Sequence, residues 1–366
     1  MATKTDFTAI MKILQKGSFP FAVYRLPGED TVNVMIDRSE DLHVVNDANT
    51  DRGFVFAPFA SDTLPWVLLH PGAMTRFPVA DLPDTEQMPF DDTAVDYGDY
   101  SAKEHYRKLV NGALEALQED ALQKIVVSRR VLFPDAKVDL AGLFSALVRK
   151  YPEAFVYCFS HPRIGRWLGA SPELLLLRRG KRLRTMALAG TLPYKGEEQV
   201  YRWDRKNVEE QAMVSVFIKD ALERSGLAAV SVSHPANQSA GPVVHLCSRI
   251  EGQIPDGVDM NLLLKNLAPT PALCGYPRGA AMEFLRRFEG YSREFYGGYL
   301  GELNMSGADT AELYVNIRCL QVVPQGVFLY AGGGIVPGSD PETEWEETVR
   351  KLSTVAPLVA RHSREQ

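Results

Sequence analysis

Glu344, Glu347 and Lys351 stand at i, i+3 and i+7 in the segment Glu344-Trp-Glu-Glu-Thr-Val-Arg-Lys351. On a helix these three share one face. Two carboxylates one turn apart make half of an oxygen-donor site for a hard cation such as Mg2+, which keeps part of its water shell. A lysine one turn further on puts positive charge where an anionic ligand would reach both it and the metal. Glu ahead of Lys at i,i+4 is also common on solvated helices, so the meaning of the motif depends on what else the chain carries.

Several other positions carry chemistry. Glu209-Glu210-Gln211, within a helix that starts near Asp204, offers a second pair of carboxylates for the metal opposite Glu344 and Glu347, or else a charged helix face. Lys124 opens the apolar strand Lys-Ile-Val-Val-Ser-Arg-Arg-Val. If it points inward its charge must be paired or shed, and a lysine that sheds its proton is a usable general base. Glu173 follows the turn Gly169-Ala-Ser-Pro and precedes four leucines. Apolar walls there would favour its protonated form and make it a general acid. Leu188-Ala189-Gly190-Thr191 reads as a small-residue turn that lets a ligand lie against the backbone. His245 lies in the strand-like Val243-Val-His-Leu-Cys247, where a satisfied core histidine is the common case. Arg318, in Asn316-Ile-Arg-Cys319, is either a carboxylate clamp or half of a buried ion pair. Gly332, Gly333 and Gly334 fit neither GxGxxG nor GK[ST], and read instead as backbone N–H groups brought close to an anion.

The elements that must hold these residues alternate irregularly. Strands are expected at 21–26, 32–36, 54–59, 124–131, 155–159, 167–169, 174–177, 243–250, 296–303, 310–320 and 326–331. Helices are expected at 101–118, 139–150, 204–225, 257–266, 278–290 and 341–356. Residues 81–98, with Pro83, Pro89 and many acids, read as a surface loop or linker. Without strict βαβ alternation the class is α+β, one large domain with mostly antiparallel sheets. Residues 1–98 form a motif-poor N-terminal part of that domain and 99–366 the catalytic region.

Of the 366 residues, 45% are apolar and 23% charged, ordinary for a soluble domain. A net charge of -6, with dispersed Lys and Arg, argues against nucleic acid as a partner. No apolar run approaches the roughly 18 residues a membrane helix needs. Cys158, Cys247, Cys274 and Cys319 form no CxxC pair. With no secretory pattern at Met1-Ala-Thr-Lys-Thr-Asp6, free thiols in the cytoplasm are expected.

Taken in order, these segments resemble the chorismate-utilising enzymes, among them isochorismate, salicylate, anthranilate and aminodeoxychorismate synthases. The resemblance covers about residues 100–356. It includes Pro269-Thr-Pro-Ala-Leu-Cys-Gly275-Tyr-Pro-Arg278, Tyr296-Gly-Gly-Tyr-Leu-Gly301 and Asp204-Arg-Lys-Asn-Val-Glu-Glu210 beside the segments above. It implies the fold just described, built on layered sheets, and chorismate as substrate. Lysine at position 124 resembles the water-activating members. Members that take ammonia from a glutaminase subunit usually have glutamine there, so no such subunit is expected. Alanine at 189 leaves no covalent lysine nucleophile, and the 269–275 segment resembles isochorismate synthases more than salicylate synthases.

The implied reaction is water attack at C2 of the ring with loss of the C4 hydroxyl, Lys124 acting as base and Glu173 as acid. Mg2+ would join Glu210 and Glu347 to a substrate carboxylate, with Glu344 on a metal-bound water. Ala189, Gly190, Thr191, His245, Arg318, Gly332, Gly333, Gly334 and Lys351 would bind the substrate. Gln211, Ala268 and Asn207 depart from the usual His, His and acid, and Asn207 would weaken the metal's outer shell. A monomer or weak dimer is expected. Menaquinone synthesis is the expected use, with a siderophore-pathway isochorismate synthase or a salicylate synthase as the alternatives.

Overall fold

Strand β1 (Phe21–Arg25) is buried at every position because its sheet is covered on both faces. Phe21 and Val23 enter one apolar cluster, Ala22 and Tyr24 another. Successive strand residues point to opposite faces, so a doubly covered strand reads as a continuous apolar run.

A computed structural model describes residues 6–84, 97, 100–118, 122–136, 138–196, 198–240 and 243–363. Helix α1 (Phe7–Lys16) precedes β1, and β2 (Thr31–Ile36), β3 (Gly53–Ala57), β4 (Val67–Leu69) and β5 (Ala73–Pro78) follow it. Next come α2 (Tyr100–Ala116), β6 (Lys124–Pro134), α3 (Leu140–Lys150), β7 (Phe155–His161), β8 (Gly165–Ser171), β9 (Leu174–Arg179) and β10 (Arg182–Pro193). The middle of the chain gives α4 (Arg205–Arg224), β11 (Ala228–Val232), β12 (Ala236–Ala240), β13 (Val243–Gln253), α5 (Met260–Leu267), β14 (Gly275–Tyr276) and α6 (Arg278–Phe288). The last part gives β15 (Tyr299–Leu303), β16 (Thr310–Val315), β17 (Cys319–Val323), β18 (Gly326–Ile335), α7 (Pro341–Leu352) and α8 (Ala356–Ser363).

The strands form two antiparallel sheets. One runs β14-β6-β18-β17-β8-β7-β1-β2-β5, the other β11-β13-β10-β9-β16-β15-β3-β4, with β12 also on β13. The fold is therefore α+β with layered antiparallel sheets, as expected. Strands from the first eighty residues extend both sheets. An aromatic layer joins the sheets: Phe56 has ring centroids of Phe295 at 4.4 Å, Phe159 at 4.6 Å and Trp167 at 6.0 Å. Helices α1, α3 and α8 share a core with the other face of the first sheet, and α4 and α5 with the second.

Three expectations change. The run 310–320 is two strands in different sheets, because the chain crosses between the layers at Asn316-Ile-Arg318. Leu188–Thr191 is not a turn but part of β10, whose register with β13 slips between Ala189 and Leu192. The final helix breaks after Leu352 and restarts at Ala356. Helix α1, the long strand β10 and the short strands β4, β5, β11, β12 and β14 escaped the apolar-periodicity reading. The loop expected at 81–98 lies largely outside the described residues.

Phe56→Ala would empty the aromatic layer where the sheets meet. It is expected to cost about 3–5 kcal/mol, seen as a lower urea midpoint with an unchanged slope. A loss below about 1 kcal/mol would show that the layer closes around the gap.

Candidate active site

A cavity of about 290 Å³ is lined from β6, β10, β13, β18, α4 and α7. It brings together thirteen of the fourteen positions singled out from the sequence: Lys124, Glu173, Ala189, Gly190, Thr191, Glu210, His245, Arg318, Gly332, Gly334, Glu344, Glu347 and Lys351. Gly333 is one residue out of phase on β18. A Cβ there would meet Glu344 Oε2 and the Tyr106 hydroxyl, each at 3.1 Å, behind the cavity wall.

Lys124 is 1% exposed and its Nζ lies 2.6 Å from Glu210 Oε1. The pairing makes burial of the ammonium tolerable and clamps α4 to the start of β6. Gly334 leaves the room, because a Cβ there would fall 2.9 Å from both Glu210 Oε1 and Lys124 Cε. Lys351 Nζ lies 2.7 Å from Glu347 Oε1 and donates to Gly332 O at 2.7 Å, fixing α7 on β18. The glycine strip therefore brings backbone close to charged side chains. Its Gly332 carbonyl is taken by Lys351, and the strip pairs in register with Val126–Ser128 of β6.

On the opposite wall His245 Nδ1 lies 2.9 Å from Gly190 O and 3.2 Å from Thr191 Oγ1. A carbonyl only accepts, so Nδ1 carries the proton and Nε2 the lone pair. Burial, reinforced by Arg318, lowers the ring to about 3, so it stays neutral. Arg318 takes the left-handed backbone (φ 51) at the crossing between sheets, where its carbonyl accepts from Ala170 N–H. Such a conformation in a non-glycine residue marks a strained, over-determined site. Its Nη1 donates to Thr354 Oγ1 at 2.7 Å, and burial lowers its proton affinity.

The carboxyls divide by environment. Burial pushes Glu173 up to about 7, although Lys124, Lys351 and Arg318 pull the other way. Burial and the charge of Glu347 push Glu344 up to about 7. Glu347 is partly buried, which works the other way, but Lys351 holds it below the ordinary carboxylate value.

The sequence reading overlooked Lys206. Its Nζ lies 3.5 Å from Glu344 Oε1 and donates to Ser339 Oγ at 3.1 Å. Its spacing of four from Glu210 on α4 was the available signal. Tyr296, the first residue of the 296–301 segment, also lines the cavity, as does Arg293, which carried no motif of its own. Of the departures noted above, buried Gln211 ties α4 to β10 and β13 through Ala187 O and Ser248 Oγ. Asn207 Nδ2 donates to Asp204 Oδ1 at 2.7 Å.

Among the described residues no three His, Cys, Asp or Glu side chains close into an ion-binding group. Each carboxylate is matched by a lysine instead: Glu210 by Lys124, Glu344 by Lys206 and Glu347 by Lys351. The donor set still fits a hard cation. It is all carboxylate oxygen, and the glycines leave space beside Glu210 and Glu344.

A buried lysine–glutamate pair, a buried carboxyl pushed up towards neutrality and converging cations suit an enzyme for a small anionic substrate. The profile of the chorismate binding enzymes matches residues 79–359, and the chain belongs to that family. Isochorismate synthase EntC of Escherichia coli K12 is 31% identical over 265 residues, covering 70% of this chain and 67% of its own. The vibriobactin-specific isochorismate synthase of Vibrio cholerae is 30% identical over 261 residues, covering 69% and 66%. The chain thus spans about two thirds of the length of these relatives. The solved structure of MenF, the menaquinone-specific isochorismate synthase of Escherichia coli, superposes with a TM-score of 0.79 at 24% identity, over 98% of this chain and 92% of that one. That likeness shows the fold. No helix among the described residues is long and apolar enough to cross a membrane.

Glu173 gives a pH test of the site. Its ordinary value is 4.5 and its folded value about 7. Below 4.5 both folded and unfolded chains hold the proton. As pH rises towards 7 the unfolded chain ionises first, so stability is lost, and the loss is complete above 7. Glu173→Gln should therefore gain on the native chain by up to about 3 kcal/mol between about pH 4 and pH 8. Urea unfolding at the two pH values measures this; a difference independent of pH would show that the carboxyl is not perturbed.

Proposed function

We propose that this chain is an isochorismate synthase, an isomerase that adds a water-derived hydroxyl at C2 of chorismate as the C4 hydroxyl is lost. The observation that carries the reading is that Lys124 and Glu173, a buried cation and a buried carboxyl held near neutrality, line one cavity with Arg318 and Lys351. The activity of the two isochorismate synthase relatives points the same way.

In this reading Arg318 and Lys351 attract the substrate carboxylates, which need fixed positive charge in a desolvated site. Lys124 must first release its ammonium proton to solvent; the free amine then takes a proton from water as that water's oxygen bonds to C2. The ring double bonds shift and the C4–oxygen bond breaks. Glu173 donates its proton to the departing hydroxyl, which leaves as water. One water is consumed and one released, and proton exchange with solvent resets the pair. The acid is needed because hydroxide is a poor leaving group. Neutral His245, with Nε2 as acceptor, would orient a substrate hydroxyl. Glu210, Glu344 and Glu347 would hold Mg2+, which when bound would supply positive charge for a substrate carboxylate.

The decisive experiment incubates the chain with chorismate and Mg2+ without ammonia and separates the products. Isochorismate alone is expected. Salicylate with pyruvate would make it a salicylate synthase, and conversion only on adding ammonium would overturn the role of Lys124. Lys124→Ala and Glu173→Ala should each lower turnover by about 10³-fold while Mg2+-dependent ligand binding persists. A fully active variant would refute the roles given.

We further propose that the product serves menaquinone synthesis, as in the relative of matching fold, in a monomer or weak dimer without a glutaminase subunit. Deleting the gene in its host should create a growth requirement that menaquinone relieves. Relief by a catechol siderophore instead would place the chain on the alternative route.

A further inference from the structure

The free edge of β6 is completed by side chains. β14 pairs only Tyr276 with Lys124 and Gly275 with Ile125. Past that point Val126 N–H donates to Cys274 O at 3.0 Å. The next two ladder positions are filled by an ion pair. Arg293 Nη2 donates to Val126 O at 2.6 Å, and Ser128 N–H donates to Glu289 Oε1 at 2.7 Å. Arg293 meets Glu289 in bidentate fashion, Nη2 to Oε1 at 2.5 Å and Nε to Oε2 at 2.7 Å. Arg293 Nη1 donates to Leu273 O at 2.8 Å, and its guanidinium lies 4.3 Å from the Phe59 ring centroid. Both side chains are 3% exposed.

A buried ion pair adds little stability over apolar residues of like volume, because desolvation offsets its attraction. What this pair supplies is geometry: a donor and an acceptor at the positions where a neighbouring strand would place its own. The segment it holds is the one that matters. Lys124 lies two residues before Val126, and on the other edge of β6 Gly334 pairs with Val126 and Gly332 with Ser128. Arg293 borders the cavity, yet its guanidinium is engaged within the wall.

We propose that Glu289 and Arg293 are positioning residues: acting as a surrogate strand on β6, they fix Lys124 and the glycine strip in the cavity without touching the reacting atoms. The proposal rests on Lys124 acting there. The test compares Glu289→Gln, which keeps an acceptor for Ser128, with Arg293→Lys and Lys124→Ala. It measures kcat, KM for chorismate, and amide hydrogen exchange in β6 and β7.

Glu289→Gln and Arg293→Lys should each lose about 100-fold in kcat with KM within about threefold. Exchange at Val126–Ser128 should quicken while β7 is unchanged. Native kcat in both variants would overturn the proposal. So would exchange that quickens equally in β7, because the pair would then serve general stability. Retained turnover in Lys124→Ala would refute the functional reading instead. The exchange measurement needs no turnover and would still decide whether the pair holds β6.

Discussion

Burying one ammonium group constrains much of this molecule. Lys124 lies inside the protein and is tolerable there only because Glu210 stands 2.6 Å away. The lysine begins an edge region of the first sheet, and the glutamate comes from a helix packed against the second. The pair therefore fixes how α4 meets β6, and that meeting needs a residue without a side chain at 334. Once β18 is drawn in as glycine backbone, α7 can come close enough for Lys351 to hold both Glu347 and the Gly332 carbonyl.

The same packing sorts the carboxyls into roles. Glu347 stays charged beside Lys351, whereas Glu344, one turn earlier, is pushed up by burial and by that charge. Glu173 rises although three cations surround it, so burial is the stronger effect. One cavity thus offers both ionised carboxylates, suited to cations, and a carboxyl that can give up a proton near neutrality. Environment assigns these functions to chemically similar groups.

Much of this was readable from residue types and spacing. The face shared by Glu344, Glu347 and Lys351 follows from helical period alone, and the α+β class from strands without βαβ order. The partner of Lys124 was not readable as an ion pair, because it comes from a distant helix and tertiary packing selects it. The run 310–320 looks like one strand since its apolar period never breaks. Only the two-layer architecture forces the crossing at Arg318 and its left-handed backbone. Leu188–Thr191 has the small residues of a turn, yet pairing with β13 keeps it in a strand. Gly333 resembles its neighbours in sequence, but pleating turns it towards Tyr106. Glu289 and Arg293 gave no signal, since a helix-end i,i+4 ion pair is ordinary until its backbone partners are known.

The central claim is that water activated at Lys124 supplies the new ring hydroxyl while the old one leaves by way of Glu173. Turnover of chorismate in heavy-oxygen water tests it most directly, with mass spectrometry of the isochorismate formed. The account requires one heavy oxygen per product molecule, at C2, with the original C4 oxygen lost to solvent. Product that keeps its original ring oxygen would contradict it, because the hydroxyl would then have migrated without water attack.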